Sequence, residues 1–309
     1  MAVATPTTLD GRTLSRSVLD ECRSRGELLT ERFGVIPHLA VVLVGDDSAS
    51  AVYVRAKERA CRRAGIRSTV VRLPATSSTE AVSDAVTSLA ADEGVHGIIV
   101  QLPLPTGIDP ATTLAHIPAD KDADGFHRHN VGSLFLGQSV YPPCTPEGVM
   151  RLLDNADIEL EGANVVIVGA SNIVGKPMAV MALRREATVT VCHARTRDLS
   201  AHTRQADIVI CAAGHVGLIT GDMVKHGAVV IDVGINRLPD GRVTGDVDYD
   251  SVAAKASHIS PVPGGVGPMT VAVLIANTVR AAERSVGLPS PRPDAEGTEF
   301  STVSSAQGS

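Results

Sequence analysis

The apolar positions of this chain switch repeatedly between two periods. Residues 11–33 place them at helical spacing and predict an amphipathic helix. HLAVVLVG (38–45) reads as a buried strand ending in glycine. The helix containing SASAVYVRAK (48–57) follows. RSTVVRLP (67–74) predicts a strand, STEAVSDAVTSLAADEG (78–94) a capped helix, and VHGIIVQLPLP (95–105) a third strand.

The proline-rich stretch YPPCTPEG (141–148) interrupts this alternation, which then restarts. ANVVIVGA (163–170), ATVTVCHA (187–194), ADIVICAAG (206–214) and AVVIDVGI (228–235) read as strands of a second parallel sheet, with a helix from about Val174. RLPDGRV reads as a hairpin turn, and VAVLIANTVRAAERS, after SPVPGGVGPMT (260–270), as a last helix. Strands alternating with helices imply crossover units. The expected fold is therefore α/β: two α/β domains flanking a cleft, the second Rossmann-like with a parallel sheet. The expected boundaries are 1–148, completed by the helix 269–286, then 149–268. The stretch 287–309 is rich in Pro, Ser, Gly and acid and reads as a disordered tail, and deletion of the residues after Ser290 is expected to leave function intact.

Composition narrows the function. A length of 309 residues suits two domains, and the net charge of -6 disfavours nucleic-acid or acidic-membrane partners. The five cysteines form no C-x-x-C, which argues against a disulfide framework or a zinc site and fits a reducing compartment. The N-terminus lacks the pattern of a secretory signal, and no apolar run is long enough to span a bilayer. A cytoplasmic protein without a metal is expected.

GASNIVGKP follows a strand and opens a helix. Gly169 allows a tight turn, Ser171 and nearby N–H groups can face a phosphate, and Gly175 permits close packing. The spacing departs from G-x-G-x-x-G, and a ligand-free turn is the alternative. The next strand runs into CHARTRD, where His193, Arg195 and Arg197 precede any acid; this suits the extra phosphate of NADP better than the ribose of NAD.

In the helix after the first strand, Ser50, Tyr53, Lys57, Ala60, Cys61 and Ala64 share an arc of roughly 100°. The small apolar members mark that arc as buried, which points Tyr53 and Lys57 inward near the end where open α/β sheets take their ligands. An inward lysine needs a partner or a task. The alternative is a lysine snorkelling to the rim. Gln101 ends the third strand at the same sheet edge. Asp124, before Gly125 in the acidic loop DKDADGFH, is the best placed acid if that loop covers a ligand.

YVRAK, VQLPLP, DKDADGF, PCTPEG, GASNIVGKP, DVGIN and PVPGGVGPMT, in this order, resemble the bifunctional methylenetetrahydrofolate dehydrogenase/methenyltetrahydrofolate cyclohydrolase (FolD) family from about residue 8 to 285. The resemblance implies oxidation of 5,10-methylenetetrahydrofolate with NADP and hydrolysis of the methenyl product to 10-formyltetrahydrofolate, in one cleft of a homodimer. It makes Lys57 the catalytic lysine, Tyr53 the ring packed on the folate, Gln101 the partner of Lys57, and Asp124 the group holding the pterin's amino-pyrimidine edge. Ser50, Pro263, Gly264, Gly265 and Val266 complete the substrate site; Gly169, Ala170, Ser171, Ile173, His193, Arg195 and Ile235 hold the cofactor. Many members carry serine where Ala194 stands, so Arg195 is the residue left to grip the 2′-phosphate. A protein with only one of the two activities fits the same motifs. A short-chain dehydrogenase, which shares Tyr-x-x-x-Lys, does not, because there the glycine-rich turn precedes that pair.

Overall fold

The structure, a computed structural model, describes residues 5–289; the tail positions from 290 onward lie outside the described residues. The first unit is a three-stranded parallel sheet in which His38–Val44 lies between Arg67–Leu73 and Gly97–Val100. Alternate residues of its strands serve opposite cores. Leu39, Val41, Leu43 and Ile99 face one hydrophobic cluster, and Ala40, Val42, Val44, Ile98 and Val100 face the other. That two-sided burial is why the central strand is apolar without alternation.

The helix Gly11–Phe33 begins where Asp10 accepts from Arg12 N–H at 2.9 Å and ends at Gly34 in the left-handed region. It packs along the last helix, Val266–Ser285, which also lies against the helix Cys144–Asn155 and the helix Ser48–Arg63. The last helix starts ahead of the expected VAVLIANT run, because Val266 and Met269 already turn into the core.

The second sheet has six parallel strands in the order Thr7–Thr8, His258–Ile259, Val229–Asp232, Ile208–Cys211, Asn164–Val168, Thr188–Cys192. It too has two cores. Val165, Ile167, Ile210 and Ile231 join the cluster shared with the first unit, whereas Val166, Val168, Val209 and Val230 fill a separate one. The shared cluster makes the two sheets parts of one packed body. Thr7–Thr8 departs from the boundary expected at residue 1, since it pairs with the far sheet. Two polar residues carry no period, and only backbone pairing at the edge defines them. The hairpin expected at RLPDGRV is present, with Asn236–Arg237 antiparallel to Val243–Thr244. No described helix is long and apolar enough to cross a membrane.

Candidate active site

The strand Gly97–Val100 is shorter than the expected 95–105. Gln101 N–H still donates to Val42 at 2.9 Å, but the prolines that follow have no N–H to continue the ladder, and Leu102–Pro103 is cis. Gln101 is therefore held at the carboxyl end of the sheet with its side chain buried, 8% exposed. Its Oε1 accepts from Lys57 Nζ at 3.0 Å, and its Nε2 donates to the Leu102 carbonyl at 2.7 Å. The second bond fixes which end of the amide faces the lysine.

Asp124 reaches the same place by another route. Ile98 and Asp122 form a parallel bridge, so the acidic loop runs beside the strand and carries Asp124 toward Gln101. The loop is no solvated turn. Asp122 is buried and accepts from Gly125 N–H at 3.1 Å, His127 N–H at 2.7 Å and the Asn130 amide at 2.8 Å. Gly125 sits at φ 77°, and a Cβ there would lie 2.7 Å from the Pro142 backbone. Asn277 of the last helix donates to the carbonyls of Ala123 and Pro142, both at 3.0 Å, which pins the backbone on both sides.

Burial pushes the Asp124 carboxyl up to about 6; the Lys57 charge pulls it back and the Asp122 charge adds to the rise. A carboxyl whose folded pKa exceeds its unfolded value costs stability once ionised. That cost is absent below the unfolded value near 3.8 and complete above about 6. Asp124→Asn is therefore expected to stabilise the protein by about 1–3 kcal/mol near pH 7.5, with the gain vanishing near pH 4. Denaturant midpoints of both proteins at the two pH values check this; equal midpoints at pH 7.5 would refute it.

On the helix Ser48–Arg63 the buried stripe is made by Ser50, Val54, Ala60 and Cys61, with Ala64 just beyond its end. Tyr53 shares its side of the helix with buried Ala60 and Ala64 but stands nearer the N-terminal end, where it is 37% exposed, which corrects the inward orientation expected from the arc. Lys57 is half-buried. Ser50 is buried and its Oγ has no hydrogen-bond partner among the described residues, so a donor or acceptor stands free two turns before Lys57.

A pocket of about 230 Å³ is lined by Pro263, Gly264, Val266, Ile235, Asp232 and Arg12, among others. Gly265 is not on its wall. It is buried behind, so close to Gly11 that a Cβ on Gly11 would meet its carbonyl oxygen. The Val262–Pro263 bond at this wall is cis. Sequence spacing did not reveal Arg12 or Asp232 as wall residues, because each needs the last helix and the second sheet assembled.

The dinucleotide turn fits its expected ligand class. Gly169 has φ 127°, and a Cβ there would lie 2.2 Å from the Ala212 oxygen; a Cβ on Gly175 would lie 1.9 Å from the Gly169 oxygen. Only glycines admit this approach, which leaves the cradle free of side chains. Ser171 Oγ accepts from Val174 N–H at 3.1 Å, so its oxygen braces the turn itself. Ala170 is half-buried and Ile173 exposed at its mouth. Gly169 N–H donates to the Cys192 carbonyl at 2.9 Å, which sets the His193–Thr196 turn beside the cradle. There Arg195 N–H donates to His193 Nδ1 at 3.1 Å. The Arg195 guanidinium is exposed and has no partner among the described residues. All five cysteines are buried and unpaired.

A glycine turn of the kind that binds dinucleotides stands at the end of one parallel sheet, and a lysine–amide–carboxylate group at the end of another, as in a two-sheet α/β enzyme. Comparison with known proteins names the class. Residues 9–124 match the tetrahydrofolate dehydrogenase/cyclohydrolase catalytic domain, and residues 143–286 match the NAD(P)-binding domain of the same family. The chain belongs to this family. It is 54% identical over 277 residues to the bifunctional protein FolD of Nitrosospira multiformis, covering 90% of this chain and 96% of that one. It is equally identical over 276 residues to that of Moorella thermoacetica, covering 89% and 98%. The solved FolD structure from Campylobacter jejuni is similar with a TM-score of 0.88 at 50% identity, covering 90% of this chain and 99% of the other. The Trypanosoma brucei enzyme, solved with NADP and an inhibitor, has a TM-score of 0.88 at 39% identity, covering 91% and 99%. The protein is a bifunctional tetrahydrofolate dehydrogenase and cyclohydrolase.

Proposed function

We propose that the enzyme uses NADP rather than NAD, that Lys57 carries the proton transfers of the hydrolytic step, and that the active form is a cytoplasmic homodimer. The observation that carries the mechanism is the Lys57–Gln101 bond beside Asp124. When bound, the dinucleotide accepts the hydride from 5,10-methylenetetrahydrofolate. The protein's part in that step is placement. Asp124, ionised, accepts from the amino-pyrimidine edge of the pterin, and Tyr53, exposed near the N-terminal end of its helix, supplies a face for the aromatic ring to stack on. Pro263, Gly264 and Val266, with Ser50, close the remaining sides.

Hydrolysis makes a different demand. Water forms a bond to the bridging carbon of the methenyl cation, the bond from that carbon to N5 breaks, and a proton must reach N5. Lys57 takes one proton from the attacking water and returns it to the leaving nitrogen; the second proton of that water leaves to solvent as the hydroxyl collapses to the formyl carbonyl, which discharges the positive charge of the methenyl cation. Gln101 Oε1 holds one Nζ–H, which directs the amine's remaining positions into the cleft.

NADP preference rests on Arg195. A free guanidinium beside the cradle can grip a phosphate bidentately, and Ala194 offers no hydroxyl to share the task. Arg195→Ala is expected to raise the Michaelis constant for NADP by about tenfold or more while leaving that for NAD within about twofold. Parallel changes for both cofactors would take Arg195 out of the phosphate site.

The homodimer is supported by one surface. Phe135 and Leu136 are 72% and 73% exposed where the helix Arg128–Phe135 packs against the helix Gly175–Arg184, which itself packs on the edge strand Thr188–Cys192, and Leu183 of that helix and Val191 of that strand are exposed as well. Apolar side chains beside an unpaired strand call for a cover. Sedimentation at micromolar concentration should show a dimer, and Leu183→Glu should shift it to monomer. A wild-type monomer would refute the assignment. Buried, unpaired cysteines agree with a reducing compartment.

A further inference from the structure

Two buried carboxylates lie outside the machinery described so far. Asp246, fully buried after the Asn236–Thr244 hairpin, accepts at Oδ2 from Ala213 N–H at 2.7 Å and Gly214 N–H at 2.9 Å. Its Oδ1 accepts from His215 N–H at 2.9 Å and the Asn236 amide at 2.8 Å. Asp232, at the end of the strand Val229–Asp232, accepts from Gly234 N–H at 2.9 Å and from the N–H groups of Asp246 and Val247, both at 3.0 Å. Among the described residues no lysine or arginine pairs with either. The socket is built for them: a Cβ on Gly234 would lie 2.3 Å from Asp246, and one on Gly245 would collide with the Asp232 carboxylate.

The position of this network is informative. The strand bearing Gly169 lies between Thr188–Cys192 on one side and Ile208–Cys211, then Val229–Asp232, on the other. A dinucleotide lies across the carboxyl ends of such strands with its phosphates at the glycine turn. The 2′-phosphate side belongs to the His193–Arg195 turn. The opposite half rests over residues 213–215 and 234–236, which are the segments tied by Asp246. Asp232, Gly234 and Ile235 also line the pocket walled by Pro263 and Gly264. The hydrogen bonds of the network stop short of Lys57, Gln101 and Asp124 among the described residues.

We propose that Asp246 is a positioning residue for hydride transfer: its carboxylate, backed by Asp232, fixes the two strand-end segments that carry the nicotinamide half of the cofactor. Neutral side chains would fill the same space without two buried charges near each other. The carboxylate alone offers enough lone pairs to hold backbone N–H groups from one segment and a side-chain amide from the next. Burial lifts Asp232 to about 6 against its backbone donors, and the charge of Asp246 adds to that rise, which is the cost of keeping the pair.

The inference rests on the bifunctional reading, and the same preparation tests both. Wild type must first show both activities; lacking one, the reading itself fails. Asp246→Asn keeps the shape but turns an amide N–H₂ toward N–H donors. It is expected to raise the Michaelis constant for NADP by about tenfold or more and lower the dehydrogenase turnover, with methenyltetrahydrofolate hydrolysis, which needs no cofactor, within about twofold of wild type. Asn236→Ala removes one donor and should act in the same direction more weakly. Both activities falling together with the melting temperature would reduce Asp246 to a structural role and overturn the proposal. If Asp246→Asn does not fold, Asn236→Ala decides: an unchanged Michaelis constant for NADP overturns it.

Discussion

Lys57→Met is expected to lower methenyltetrahydrofolate hydrolysis by about 10²–10⁴-fold, the span that a positioned proton-transfer group contributes. Methionine keeps the length of the side chain and removes the amine. Gln101 Oε1 then loses the Nζ–H it accepts at 3.0 Å, while the backbone bonds that hold Gln101 and Asp124 in place remain. Hydride transfer needs two rings held face to face, and that geometry comes from other residues, so the dehydrogenase should suffer less. Methenyltetrahydrofolate should accumulate, and its near-ultraviolet absorbance in purified mutant and wild type measures the effect. A second consequence follows from charge. Lys57 is the group that pulls the Asp124 carboxyl down. Without it Asp124 rises further, and the acid limb of folate binding should move to higher pH in the mutant. Hydrolysis at the wild-type rate would remove Lys57 from proton transfer.

The long elements followed from period and punctuation, except the helix Cys144–Asn155, which begins inside the proline-rich stretch expected only to interrupt the alternation. A strand buried on both faces must be apolar at nearly every position, so 38–44 and 164–168 are legible in the residues alone. Helix 11–33 has both an Asp cap and a glycine stop. The short helices Pro110–Leu114, Arg128–Phe135 and Tyr249–Ala253 escaped, because five to eight residues hold too little period to stand out. The strands Thr7–Thr8 and His258–Ile259 escaped for the same reason.

At the candidate site, spacing put Lys57 and Gln101 at the same sheet edge, and only the family resemblance paired them; spacing also turned Tyr53 too far inward. The arc gives direction around the helix and not position along it: Ala60 and Ala64 on Tyr53's side are buried, whereas Tyr53, nearer the N-terminal end, is 37% exposed. Asp124 was found as a residue in a loop; what could not be read is that a parallel bridge at Ile98 carries it to Gln101. Asp246 was invisible as a functional candidate. Its partners at 213–215 and 236 come together only when neighbouring strands of the sheet are in register.

Gly169→Ala should separate the two activities from the opposite side. The glycine stands at φ 127°, where an L side chain is strained, and its new Cβ would lie 2.2 Å from the Ala212 carbonyl oxygen. That oxygen is backbone and cannot rotate away. Ala212 N–H is bound to Val168 at 2.7 Å, so relief requires the two strand ends to part. Parting them opens the cradle and shifts the bound dinucleotide relative to the folate. A displacement of about 1 Å in a reacting pair costs on the order of 10²-fold, so the dehydrogenase kcat/KM is expected to fall at least that far. Lys57, Gln101 and Asp124 are held by the other sheet and by the last helix, so hydrolysis of supplied methenyltetrahydrofolate should stay within about threefold of wild type. NADP titration of the folded variant should show the loss directly. Unchanged NADP affinity would mean that the turn yields without opening. Equal loss of both activities with an intact melting transition would mean that the two half-reactions share more of this sheet than the Lys57 cluster implies.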